Sequence, residues 1–174
     1  MKPASAFPAP PPPFIDVEAS GLGRGSYPVE VGIVLADGTR HCWLIRPAAT
    51  WTHWDSSAER IHGIPRSRLN SLGRPAREVA GALNERLAGQ TAYSDAWGND
   101  MPWLAKLFDE AEMVQHFRLE SVRALLDDAQ AAAWHATKDR LLRQLPCVRH
   151  RASSDAMILQ QTWLAVSAAH CRAA

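Results

Sequence analysis

The feature that most constrains the fold is a strand and hairpin pattern near the start of the chain. Apolar side chains occupy every second position from Val29 to Leu35, which is the period of a β-strand. Residues 36–39 (ADGT) supply a turn, and Cys42 to Ile45 form a second strand. Residues 14–18 (FIDVE) form a short apolar strand upstream. The chain therefore opens as strand, loop and hairpin.

Helices and short strands alternate after the hairpin. A short helix runs from Glu59 into His62 and stops at a glycine and a proline. A second helix starts at Pro75 and ends at Gly89, which is the expected placement of proline and glycine at helix ends. Residues 91–94 (TAYS) are predicted as a strand.

The second half of the chain is mainly helical in pattern. An amphipathic helix includes Trp103 to Phe108, and a brief strand is predicted near Val114–Phe117. Residues 118–143 are rich in alanine, leucine and paired charges, which predicts two helices. A last helix carries apolar residues from Ala152 to Val166 at spacings of three and four. This order predicts an α/β domain with a mixed sheet, helices on both faces and one antiparallel hairpin.

Composition limits the class of protein. The 174 residues are 47% hydrophobic and 21% charged, which fits one soluble domain over residues 14–174 after a disordered, proline-rich lead-in over residues 1–13. The absence of a long uncharged apolar run predicts no membrane span and, by default, a cytoplasmic location. A net charge of +1 does not by itself indicate a nucleic-acid-binding protein. A local groove can still be basic when the whole protein is nearly neutral.

Asp16 and Glu18 are the first candidate functional residues. Residues two apart in a strand point to the same face, so the two carboxylates project together beside apolar neighbours. The two negative charges repel each other, and burial removes their solvation, which is unfavourable unless a cation lies between the two carboxylates. A hard cation such as Mg²⁺ or Mn²⁺ prefers oxygen ligands of this kind. The alternative is an exposed strand end with two solvated acids.

Two further segments carry candidate side chains. His150 lies just before the last helix, where an imidazole could take a proton from water, and Asp155 lies in the first turn of that helix. Alternatively, Asp155 could have no role beyond a favourable interaction with the positive end of the helix dipole. Asp95 and Asp100 lie between the strand at residues 91–94 and the following helix, and either could complete a carboxylate cluster or cap a helix.

Taken in order, these segments resemble the Asp-Glu-Asp-Asp superfamily of 3′→5′ exonucleases, in the subgroup that has a histidine in its third motif. Residues 14–21 (FIDVEASG) resemble the first motif, Phe-x-Asp-x-Glu-Thr-Thr-Gly, and residues 61–64 match an Ile-His-Gly-Ile element. Residues 150–155 match His-x-x-x-x-Asp. The second motif departs from the family pattern, because Asp95 stands where the family has histidine and Asp100 takes the place of the metal-binding aspartate. Ala19 replaces a threonine.

The resemblance implies a ribonuclease H-like fold with a mixed five-stranded sheet and a two-metal-ion mechanism. Asp16, Glu18, Asp100 and Asp155 would hold two divalent cations, Mg²⁺ or Mn²⁺, with Asp95 as the alternative to Asp100. His150 would act as general base. The implied substrates are 3′ ends of single-stranded DNA or RNA, and the products are nucleoside 5′-monophosphates. The sequence identifies no protein partner.

The resemblance also implies contacts to the terminal nucleotide. Ala19, Gly21 and Leu22 correspond to the family's backbone and wedge residues, and His62 lies at a position near the substrate. Trp97 is a candidate for stacking on a base, with packing in the loop as its alternative. Two other functions compete with the exonuclease. One is a noncatalytic nucleic-acid-binding module on the same fold, and the other is a phosphodiesterase for very short oligonucleotides.

Overall fold

A five-stranded mixed sheet forms the centre of the computed structural model, which describes the backbone of residues 10–173 and side chains up to residue 169. The strands are β1 (Phe14–Ala19), β2 (Pro28–Val34), β3 (Arg40–Leu44), β4 (Thr91–Ser94) and β5 (Arg118–Ser121). Their order across the sheet is β3-β2-β1-β4-β5. β1 pairs antiparallel with β2 and parallel with β4, and β4 pairs parallel with β5. β1 is therefore the central strand.

Helices cover both faces of this sheet. They are α1 (Ser56–His62), α2 (Arg66–Leu72), α3 (Ala76–Leu87), α4 (Trp97–Glu110), α5 (Asp128–Gln144) and α6 (Ala152–Ala173). Ile15 and Val17 of β1 face a core built with α2, α3 and α4. Phe14 packs on the other face against Leu159 of α6 and Trp134 of α5. The predicted fold class is therefore confirmed.

The predicted elements differ from the observed ones mainly around β5. The strand lies at Arg118–Ser121 and not at Val114–Phe117, and one α-helix, α5, follows a short 3₁₀ turn where two helices are predicted. Among the described strands, β5 lies at the edge of the sheet beside β4, and its sequence lacks the apolar alternation of a buried strand. Helix α2 has no counterpart in the sequence prediction.

Most of the proline-rich lead-in, residues 1–9, lies outside the described residues. The end of the lead-in is bound to the sheet, because the Pro13 carbonyl accepts a hydrogen bond from the Tyr93 amide at 3.0 Å. Within residues 10–173, no helix combines the length and the apolar character needed to cross a bilayer.

Candidate metal centre

Two carboxylates of the centre come from the middle strand of the sheet. Asp16 and Glu18 alternate along β1 with the buried Val17 and point to the face that α6 covers. Asp16 lies opposite Gly32 of β2, and Glu18 lies opposite Glu30. Both acids pair with β2, both are only partly exposed, and the residues on either side of each acid are buried. The alternative of an exposed strand end does not describe this strand.

The third carboxylate belongs to Asp100, in the first turn of α4. Its residue is 1% exposed, and the Ser94 hydroxyl at the end of β4 donates a hydrogen bond to it. The Ser94 oxygen in turn accepts the amide of Ala96 at 2.9 Å. Burial raises the pKa of Asp100 from 3.8 to about 7, and repulsion from Asp95 adds to the rise, while the Ser94 hydrogen bond opposes it. Asp100 is therefore a buried acid that is difficult to ionise without a cation.

The fourth carboxylate depends on how closely α6 approaches the sheet. A Cβ at Gly32 would lie 2.1 Å from the Ser153 amide nitrogen and 2.2 Å from the Ala152 carbonyl carbon, so only glycine leaves room for the start of α6. This approach brings Asp155 beside Glu18. Ligand atoms of Glu18, His150 and Asp155 all lie within 4.8 Å of one another.

An ion pair between a buried carboxylate and a partly exposed guanidinium holds the start of α6 in place. Glu30 is completely buried, and it accepts hydrogen bonds from the Arg151 Nε at 3.0 and 3.1 Å and from the Ala152 amide at 2.8 Å. His150, the preceding residue, has a φ of 56°, a left-handed conformation that non-glycine residues seldom adopt. Neither Glu30 nor Arg151 is among the residues predicted from the sequence. A single charge within an otherwise apolar strand, PVEVGIV, is the signal that could have identified the pair.

The acids of β1 and α6 are strongly coupled. Burial raises the pKa of Asp16 well above its usual value, and repulsion from Asp100, Glu18, Asp155 and Asp95 raises it further. Burial and the charge of Asp155 raise the pKa of Glu18 to about 7. Burial also raises the pKa of Asp155, against the opposing effect of His150. A divalent cation would relieve this repulsion, and the all-oxygen carboxylate set fits Mg²⁺ or Mn²⁺.

Asp95 has a different environment from Asp100. It forms an ion pair with Lys138 of α5, and the side chains are 22% and 28% exposed, respectively. The carboxylate of Asp95 is thus bound by an ammonium group, whereas the one hydrogen-bond donor to the Asp100 carboxylate among the described residues is the Ser94 hydroxyl. The geometry favours Asp100 as the acid that this segment contributes to the centre.

A cavity of about 240 Å³ opens next to Glu18. Its lining includes Ala19, Gly21, Leu22, His62, Ile61 and Trp103. Leu22 is 72% exposed and can contact a ligand directly. Four residues that the sequence predicts to contact a terminal nucleotide therefore line one cavity, and Glu18 of the acid cluster lines it too.

His62 and Trp97 both form hydrogen bonds to the protein backbone. His62 is buried, and its Nδ1 accepts the Ile64 amide at 3.0 Å, which leaves the Nε2 to carry the proton in the neutral ring. That Nε2 has no hydrogen-bond partner among the described residues. Trp97 does not line the cavity, and its indole N–H donates to the Leu119 carbonyl of β5 at 3.0 Å. Trp103, which the sequence analysis assigned only to an amphipathic helix, lines the cavity, and its indole N–H donates a hydrogen bond to the Ser26 hydroxyl at 2.8 Å.

Comparison with solved structures gives a consistent fold assignment. The zinc-bound complex of E. coli exonuclease I with single-stranded DNA aligns over 89% of this chain with a TM-score of 0.65 and 13% identity. The complex of the same enzyme with a dA16 oligonucleotide gives a TM-score of 0.64 at 12% identity over 87% of this chain. Exonuclease I from Methylocaldum szegediense gives 0.63 at 13% identity, also over 87%.

The aligned region covers 39–40% of each of those chains, so this protein spans about two fifths of their length. No protein-family model matches the sequence. No curated protein matches it either. At these identities, the comparison shows that the chain has the exonuclease I-type, ribonuclease H-like fold.

Proposed function

We propose that this protein is a divalent-metal-dependent 3′→5′ exonuclease of the Asp-Glu-Asp-Asp superfamily, histidine subgroup, with its activity in one domain over residues 14–174. It removes nucleoside 5′-monophosphates from single-stranded DNA or RNA. The observation that carries the proposal is the group of Glu18, His150 and Asp155, whose ligand atoms lie within 4.8 Å of one another beside a cavity. The charges of Glu18, Asp155 and Asp100 all raise the pKa of Asp16, which supports a larger group of four acids. The fold shared with exonuclease I supports the same activity. A cytoplasmic location stays a prediction.

The four acids have a clear task in this proposal. Asp16, Glu18, Asp100 and Asp155 would hold two Mg²⁺ or Mn²⁺ ions. When bound, the ions supply positive charge that activates water and stabilises the scissile phosphate and the leaving 3′ oxygen. The carboxylates bind and orient the ions, and their burial keeps this charge out of bulk water. The mutual repulsion of the unliganded acids favours cation binding.

His150 is the proposed general base. Its imidazole lies close to Glu18 and Asp155 and can take the proton of the attacking water. The left-handed backbone at His150 and the Glu30–Arg151 ion pair set the direction of the side chain. In this proposal, Leu22 and the backbone of Ala19 and Gly21 position the terminal nucleoside.

The test is a time course on single-stranded oligonucleotides labelled at the 5′ end, with Mn²⁺ or Mg²⁺. We expect a ladder that shortens from the 3′ end and release of 5′-mononucleotides. Asp16→Asn should abolish the ladder, while Asp139→Asn, which changes an exposed acid of α5, should not. DNA and RNA substrates of equal sequence give the sugar preference.

Two outcomes would contradict the proposal. Cleavage that starts at internal positions is inconsistent with a cavity for a terminal nucleotide. A purified, folded protein that binds oligonucleotide but never shortens it with either metal would support the noncatalytic binding module. Turnover confined to dinucleotides would support the phosphodiesterase for very short substrates.

A further inference from the structure

The Asp95–Lys138 ion pair lies at the border of the candidate metal centre and has no role in the proposed reaction. Asp95 directly follows β4, and Lys138 comes from α5, 43 positions later in the chain. Both side chains are mostly covered. Asp95 stands where the resembling family has histidine, so the pair belongs to this chain's departure from the family pattern.

Both residues of this pair lie beside elements that carry proposed ligands. Asp95 directly follows Ser94, whose hydroxyl donates a hydrogen bond to Asp100. Lys138 belongs to α5, which packs against α6, the helix that carries Asp155. Removal of either charge therefore changes the potential at these elements.

We infer that Lys138 is a positioning residue that keeps Asp95 out of the metal centre and so leaves Asp100 as the ligand from this segment. This inference rests on the proposed function. An aspartate bound to an ammonium group is a poor ligand, because a cation must first displace that group. In the part of the chain that the structure describes, the Asp100 carboxylate has the neutral Ser94 hydroxyl as its one hydrogen-bond donor, and that group can remain in place when a cation binds.

Opposite effects of the two charges on metal affinity follow from this arrangement. Loss of the Lys138 charge leaves Asp95 as an uncompensated fifth negative charge, so divalent cations bind more tightly. Loss of the Asp95 charge leaves Lys138 as an uncompensated positive charge near Asp155, so they bind more weakly. When both charges are absent, the affinity returns toward that of the wild type. A pair that only stabilises the fold would not produce opposite signs.

The experiment is calorimetric titration of Mn²⁺ into four forms of the full chain: wild type, Lys138→Met, Asp95→Asn and the double variant. Methionine preserves the apolar stem of the lysine, and asparagine preserves the shape of the aspartate. We expect about tenfold tighter binding for Lys138→Met and about tenfold weaker binding for Asp95→Asn. The double variant should lie within about twofold of the wild type.

Arg140→Met and Asp139→Asn serve as matched controls on the same helix. Arg140 donates a hydrogen bond to Gln144 of α5 at 3.2 Å, and both control residues are exposed. These controls should leave Mn²⁺ affinity unchanged, and circular dichroism should show that every variant is folded.

The outcomes separate this inference from the proposed function. If the wild type binds Mn²⁺ but the two single variants move the affinity in the same direction, or leave it unchanged, Lys138 does not control the choice of ligand. If the folded wild type binds no Mn²⁺, the metal centre and this inference are both wrong. Opposite shifts that cancel in the double variant support the inference when Lys138→Met also restores Mn²⁺ binding to an Asp100→Asn protein, because only a released Asp95 can then replace the missing ligand. Opposite shifts without this recovery would show a general effect of charge and would contradict a role of Lys138 in the choice of ligand.

Discussion

Replacement of Asp100 by asparagine gives the sharpest test of the buried carboxylate. Asparagine has nearly the same shape, and its amide oxygen can still accept the Ser94 hydroxyl. The pKa of Asp100 in the folded protein is about 7, raised from 3.8 mainly by burial. Because the folded-state pKa is the higher one, the folded state binds more protons than the unfolded state between these values. Stability is therefore lost as the pH rises from about 4 to about 7.

The introduced amide cannot ionise, so the Asp100→Asn variant should escape this loss. The linkage relation with pKa values of 3.8 (unfolded) and about 7 (folded) gives the size of this effect. The unfolding free energy of the variant, relative to that of the wild type, should rise by about 3 kcal/mol between about pH 5 and about pH 8. The assay is urea denaturation of wild type and variant at both pH values, in the presence of a chelator. At about pH 8, saturating Mn²⁺ should stabilise the wild type strongly and the variant little, and the variant should lack nuclease activity.

Asp95→Asn is the matched control for this experiment. It removes one part of an ion pair whose side chains are 22% and 28% exposed, so we expect a loss of about 0.2–1 kcal/mol in unfolding free energy. Stabilisation by saturating Mn²⁺ should remain. If the difference in unfolding free energy between Asp100→Asn and the wild type does not change with pH, burial does not raise the pKa of Asp100. Loss of the Mn²⁺ effect in Asp95→Asn, together with its retention in Asp100→Asn, would show that Asp95 is the ligand.

Three other substitutions test the site and its support. His150→Ala should lower the turnover rate by about 10²–10⁴-fold with Mn²⁺ binding largely kept, and loss of metal affinity would show that the imidazole is a ligand instead of the base. Arg151→Met leaves the Glu30 carboxylate buried without its ion pair and should lower the unfolding free energy by about 3–5 kcal/mol, measured by urea denaturation. Gly32→Ala forces α6 away from the sheet. It should lower the unfolding free energy by about 3 kcal/mol and weaken the binding of Mn²⁺. Gly81→Ala in α3, where the nearest atom is 4.0 Å from the new Cβ, should be neutral or slightly stabilising, and an equal loss there would contradict the steric argument.

Local rules account for the parts of the fold that the sequence predicts well. Thr91–Ser94 is a strand as predicted, and α3 follows Pro75 and buries Val79, Leu83 and Leu87. These elements have clear periodicity and clear end signals, which depend only on neighbouring residues. The prediction places β5 too early in the chain, because a short, polar edge strand has neither signal.

The sequence by itself determined that Asp16 and Glu18 project from one face of a strand, because the two-residue period of a strand is a property of the backbone. It could not decide between Asp95 and Asp100. That difference lies in the burial of Asp100 in the first turn of α4 and in the ion pair that Lys138 of α5 forms with Asp95. In the same way, Glu30 and Arg151 are 121 positions apart and meet only when α6 packs on Gly32. Burial and long-range ion pairs exist only after the chain has folded, so only the tertiary structure distinguished the buried acid from the paired one.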